Sequence, residues 1–150
     1  MPRSKGPWSE QQIASFLDAS RVPIRIACHG TTGHPLLASL WFVPLEGRLW
    51  CATPRKAAIA KLLARDGRCA FEVAQDTPPY RGVRGQAIAT LEDARGEVIL
   101  RTLVDRYLGT RESPFARWLL GRAAGETAIA LAPRTLLSWD FGDRMRDAAG

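Results

Sequence analysis

The chain has 150 residues, 46% hydrophobic and 24% charged, which fits one globular domain with its own core. No apolar run is long enough to cross a bilayer, and Met1 to Gly6 carries charge with no apolar stretch behind it. Neither a membrane span nor a secretory signal is therefore expected, and the cytoplasm is the expected location. The net charge of +6 comes mostly from scattered arginines, with lysine only at 5, 56 and 61, so an anionic cofactor is favoured over nucleic acid as the partner.

Trp8-Ser9-Glu10-Gln11-Gln12-Ile13 opens the first helix. Ser9 and Gln12 have capping-box spacing, and Trp8 can staple onto Ile13. Ile13, Phe16 and Leu17 give that helix one apolar face, and it should end near Ala19 or Ser20. Val22 to His29 and Pro35 to Pro44 read as strands joined by the turn Gly30 to His34. Cys28, His29 and His34 gather near this turn, but with no carboxylate close in sequence no metal site is assigned. Leu45-Glu46-Gly47 turns into a third strand, Arg48 to Ala52.

The next segment carries the strongest local signal. Thr53 suits an N-cap and Pro54 the first helical position, ahead of a helix to Arg65 with Ile59, Leu62 and Leu63 on one face. Free backbone N–H groups and the positive helix end would then converge near Thr53, Arg55 and Lys56, a site suited to phosphate. The bland alternative is a plain helix start with two solvated cations. Asp66-Gly67 should close the helix, with Gly67 as a left-handed cap.

Arg68 to Ala74 is a fourth strand, and Asp76 to Pro79 a Pro-rich turn. Tyr80 to Leu91 is a long strand in which Val83, Ala87, Ala89 and Leu91 share a face, and Gly82 and Gly85 permit a bend or bulge. Glu97 to Leu108 and Pro114 to Leu120 read as helices. Thr127 to Ala132 and Thr135 to Phe141, separated by Pro133, read as two closing strands. Cys28, Cys51 and Cys69 are odd in number and lie in apolar strands, so they read as small buried hydrophobes rather than a disulfide framework. The expected fold is mainly β, of α+β class: about six antiparallel strands in a small barrel, with peripheral helices.

In this order the segments resemble the FMN-binding split-barrel family related to pyridoxamine 5'-phosphate oxidase. The likeness runs from about Trp8 to Phe141. It rests on the opening Trp helix, Gly33-His34-Pro35 leading into Leu40-Trp41-Phe42, Thr53-Pro54-Arg55-Lys56, the strand Tyr80 to Ala87, and Pro133 to Trp139-Asp140. The resemblance implies a single split-barrel domain that forms a homodimer, with an FMN in each interface groove. Carried over to this chain, Thr53, Arg55 and Lys56 would hold the phosphate, and Ser39, Leu40 and Trp41 would follow the ring or ribityl chain. Arg81, Val83 and Arg84 would lie on the strand that helps line the groove, and Trp139 would approach it, from the same or the partner subunit.

Each of these residues has a plainer reading too: Trp41 as core, Arg84 as a solvated cation or half an ion pair, Trp139 as a plug of the barrel end. The chain lacks the Arg-x-Val-Leu-Leu-Lys strand and closing Arg-Leu-x-Pro of the true oxidases, so pyridoxamine phosphate is not the expected substrate. An FMN-dependent oxidoreductase is the leading expectation. A deazaflavin-dependent reductase, a non-catalytic flavin or haem carrier, and a nucleic-acid-binding barrel are the alternatives. No paired carboxylates, Ser-His-Asp set or activated cysteine is evident, which suits chemistry carried by a cofactor.

Overall fold

The computed structural model describes residues 2–146. The elements in chain order are β1 (Arg3–Lys5), α1 (Glu10–Ala19), β2 (Ile24–His29), β3 (Pro35–Leu40), β4 (Val43–Leu45), β5 (Arg48–Pro54) and α2 (Ala58–Arg65). They continue with β6 (Arg68–Ala74), β7 (Arg81–Glu92), α3 (Gly96–Leu108), α4 (Pro114–Leu120) and β8 (Glu126–Asp140). The strands form one hydrogen-bonded path, β3-β2-β6-β7-β8-β5-β4, antiparallel at every step, and β1 adds to β8 in parallel.

The two strands that end this path, β3 and β4, are consecutive in the chain and joined only by Trp41 and Phe42. Such a short link forces the sheet to curl until its edges meet, which makes the barrel. Its interior is one apolar cluster drawn from five strands, including Ile26, Cys51, Phe71, Val83 and Ile129. Ile13 and Leu17 of α1 and Ile59 and Leu63 of α2 join the same cluster. Helix α3 lies on the other face of β5 and β8, where Ile99 and Leu103 meet Trp50, Ala128 and Ala130. The first six residues of β8 are therefore buried on both faces and lose the alternation of a half-exposed strand.

The α+β fold class stands, with eight strands where about six were expected. The capping box at Ser9 forms as predicted, with Gln12 N–H donating to Ser9 Oγ and Ser9 N–H to Gln12 Oε1. Trp8 packs on Phe16, ring centroids 4.9 Å apart.

Four expectations need correction. The strand from Pro35 breaks at Trp41-Phe42, because the Phe42 N–H donates to the Tyr107 hydroxyl of α3 instead of to a neighbouring strand. The break at Pro133 does not occur. A β-bulge there pairs Ala87 with Pro133 and Gln86 with Thr135, so Pro133 needs no N–H, and Thr135 Oγ1 accepts the Gln86 N–H. Gly67 is not left-handed; Asp66 caps α2 in extended conformation, and a Cβ on Gly67 would strike the Ala89 carbonyl. The fourth correction, at Thr53, concerns the site itself. Among the described residues no helix is long and apolar enough to cross a membrane.

Candidate functional site

Thr53 does not cap a helix. It continues β5, where it pairs with Thr127, and Pro54 follows opposite Glu126. The Arg55 N–H donates to Gly125 O, and the Ala57 N–H closes a turn onto Pro54 O. Helix α2 therefore starts four residues later than predicted, with Ala57 as an N-cap that offers no side-chain acceptor. Tertiary pairing with β8 overrides the local Thr-Pro signal, because each further ladder bond satisfies a backbone group that a helix start would leave open.

The end of β5 nonetheless faces a cleft of about 290 Å³. Ser39, Leu40 and Trp41 enter it from the end of β3, and Thr53 and Pro54 from β5. Leu100 and Leu103 of α3 also line it, and Phe115 and Leu119 of α4 complete that side. Arg122 and Glu126 close the remaining edge. The structure thus brings four of the sequence-derived residues, Ser39, Leu40, Trp41 and Thr53, to one place.

Trp41 serves as both wall and lining. Its ring stacks on Tyr107 at 4.8 Å with 5° between planes, and it meets Phe115 edge-on at 6.3 Å. Phe115 in turn stacks on Trp118, and the Arg122 guanidinium sits 4.6 Å above the Trp118 ring. Phe115 and Trp118 are about half exposed, so a ladder of ring faces stands at the mouth of the cleft.

Arg55 and Lys56 follow directly after the lining residue Pro54, and both are exposed. The Arg55 guanidinium donates to the carbonyls of Ala124 and Glu126, so part of its donor capacity fastens the start of β8. Lys56 makes no ion pair among the described residues.

The remaining three residues form a second group. Arg81 pairs with Asp140 at 3.7 Å. Trp139 lies across Gly82, where a Cβ would stand 2.7 Å from its ring, and Arg84 sits over the same ring at 5.4 Å. This group is at the end of β8, thirteen positions from Glu126, which is on the order of 40 Å of strand contour. Arg84 also borders a groove of about 650 Å³ with Arg3 and Lys5 of β1. Within this chain the two groups of sequence-derived residues stand apart.

Sequence reasoning missed Phe115, Arg122 and Glu126. The one available signal was Glu126, an acid one residue ahead of the apolar run Ala128 to Leu131. The Glu126 residue is 8% exposed, and burial raises its carboxyl above the ordinary glutamate range, against the opposing pull of Arg122 and Arg55.

The thiols supply no nucleophile. Burial raises all three, Cys69 to about 11, so they stay protonated at neutral pH. Among the described residues no three metal-ligating side chains come together, and both histidines are exposed around the β2–β3 turn.

No family model matches the chain. No curated protein matches it either. Solved structures do. A conserved hypothetical protein from Mycobacterium tuberculosis is 27% identical, with a TM-score of 0.75 over 89% of this chain and 86% of that one. An F420 reductase matches at 18% identity and a TM-score of 0.69, over 87% of this chain and 97% of that one. A candidate pyridoxamine 5'-phosphate oxidase from Listeria innocua matches at 16% identity and a TM-score of 0.63, over 85% and 94%. An FAD-binding protein of Mesorhizobium loti and a haem storage protein of Vibrio cholerae share the architecture at TM-scores of 0.63 and 0.65. The curled antiparallel sheet, its peripheral helices and these near full-length matches give this chain the split-barrel fold of the pyridoxamine 5'-phosphate oxidase-like proteins.

Proposed function

We propose that this protein binds FMN at an interface between two copies of the chain and acts as an oxidoreductase on a small molecule. The observation that carries the reading is the convergence of Ser39, Leu40, Trp41 and Thr53 on one cleft, with Arg55 and Lys56 immediately beyond it. The donor set suits a flavin phosphate. Arg55, Lys56 and Arg122 provide cations, Ser39 and Thr53 provide hydroxyls, and Trp41 and Phe115 provide apolar ring faces. When bound, the flavin supplies the redox chemistry. The chain's own residues bind the phosphate, orient the ring against the aromatic wall and exclude water.

Two features support the dimer. A cleft of about 290 Å³ is at the small end for a cofactor of this size, so a further surface would have to cover it. Arg84 and Trp139 stand at the far end of β8, where a second copy could present them to the first copy's cleft. The half-exposed Phe115 and Trp118 suit burial under such a surface.

Lys56→Ala tests the phosphate assignment. It removes a charge-assisted contact worth about 1.5–3 kcal/mol, so FMN affinity should fall roughly 10- to 100-fold. Unchanged affinity in the folded variant refutes the assignment.

A deazaflavin is the second reading, favoured by the F420 reductase with which this chain shares nearly that protein's whole length. Its more anionic tail would draw on Lys61 or Arg81 as well. Haem is less well served, because His29 and His34 are the chain's two histidines and neither lines the cleft.

A further inference from the structure

Glu126 is out of keeping with a phosphate site. It lines the cleft, is more than nine-tenths buried, and stands within the segment that Arg55 holds in place. Its carboxylate accepts no hydrogen bond and makes no ion pair among the described residues. The two cations that face it, Arg122 and Arg55, attract it without a hydrogen bond or ion pair to it. The Arg55 guanidinium is bound to the Ala124 and Glu126 carbonyls, and that of Arg122 rests on the Trp118 ring. The rest of the cleft lining brings no charge: α3 presents Leu100 and Leu103, α4 presents Phe115 and Leu119, and the strand ends present Ser39 to Trp41 and Thr53.

A carboxylate largely withdrawn from water and without a hydrogen-bond partner is costly, and a second negative charge in the same cleft makes it more so. A protonated carboxyl removes the repulsion and gains an O–H donor that an anionic oxygen can accept.

We propose that Glu126 couples anion binding in this cleft to proton uptake, so that a phosphate-bearing cofactor enters as the Glu126 carboxylate takes a proton from solvent. The inference rests on the cofactor reading above and adds a discriminating role to that site. A ligand with a neutral or cationic end needs no such proton and is favoured as pH rises. An anionic one is favoured as pH falls.

Glu126→Gln keeps the shape and removes the titration. Calorimetry of FMN binding to the full chain, in two buffers of different ionisation enthalpy, measures the protons taken up. The phosphate of FMN titrates on its own, so the quantity of interest is the difference between wild type and variant. Wild type should take up as much as about one proton more per FMN than the variant. The variant should bind FMN about tenfold more tightly at about pH 8, and the advantage should vanish at about pH 4. Equal uptake and equal affinity at every pH overturn the proposal and leave the cofactor reading intact. Failure of both proteins to bind FMN at any pH overturns the cofactor reading and this proposal together.

The ligand-free protein gives an independent readout. Folding raises the Glu126 pKa, so the group's penalty is absent below the unfolded value and grows as pH rises through the folded one. Glu126→Gln should therefore melt above wild type at about pH 8 and converge with it below about pH 4. A melting difference that does not change with pH contradicts the titration.

Discussion

Tyr107→Phe isolates one atom that shapes the cleft. The Tyr107 hydroxyl accepts the Phe42 N–H at 3.2 Å and donates to the Val22 carbonyl at 3.1 Å. It thereby ends β3, redirects the chain into β4 and ties both to the entrance of β2. Removing the oxygen leaves one backbone donor and one acceptor without their partner, at a cost of about 1–3 kcal/mol. For a chain of this size that lowers Tm by about 2–4 °C per kcal/mol. The ring remains, so its stack on Trp41 at 4.8 Å is kept. Tyr107→Ala also removes the ring and should cost more, about 3–5 kcal/mol. Urea unfolding followed by fluorescence reads both, with the slope m unchanged if only the native state is affected. A Tyr107→Phe protein within about 0.5 kcal/mol of wild type shows that water replaces the hydroxyl, and refutes its role in setting the strand break.

Further outcomes follow from the site geometry. Arg55→Ala should weaken FMN binding and also lower stability, since Arg55 holds the Ala124 and Glu126 carbonyls, whereas Lys56→Ala should weaken binding alone. Paired melting and binding measurements separate the two, and equal stability losses contradict the division. Gly82→Ala should destabilise by about 1–3 kcal/mol, because its Cβ would stand 2.7 Å from both the Trp139 ring and the Val73 carbonyl. Only the ring can move, so adding Trp139→Ala should recover part of the loss. Absence of any rescue in that double variant places the strain at the Val73 carbonyl instead.

The parts of this fold that were legible in the sequence are those set by neighbours in the chain. The capping box at Ser9, the Gly30 to His34 turn and the alternating faces of β2 and β7 depend on spacing alone. The misread parts depend on distant partners. The break at Trp41 is made by a hydroxyl 65 positions away. Strand β8 runs through Pro133 because the bulge opposite Gln86 needs no N–H there. Strand β1 has only Arg3-Ser4-Lys5, too short and polar to carry a periodic signal.

The site divides along the same line. Thr53 lines the cleft, but from a strand rather than from the helix cap that its local sequence suggests. Arg81, expected to line a groove, pairs with Asp140 at 3.7 Å, a partner fifty-nine positions away that no local pattern signals. Arg122 and Glu126 reach the cleft only because α4 folds back beside the start of β8, which no local pattern encodes.

The most direct test of the central claim is the absorption spectrum of the purified protein after addition of FMN and exhaustive dialysis, with Lys56→Ala beside it. The account predicts a flavin spectrum retained by wild type and diminished in the variant. A wild-type protein that dialyses to colourless contradicts FMN as its cofactor.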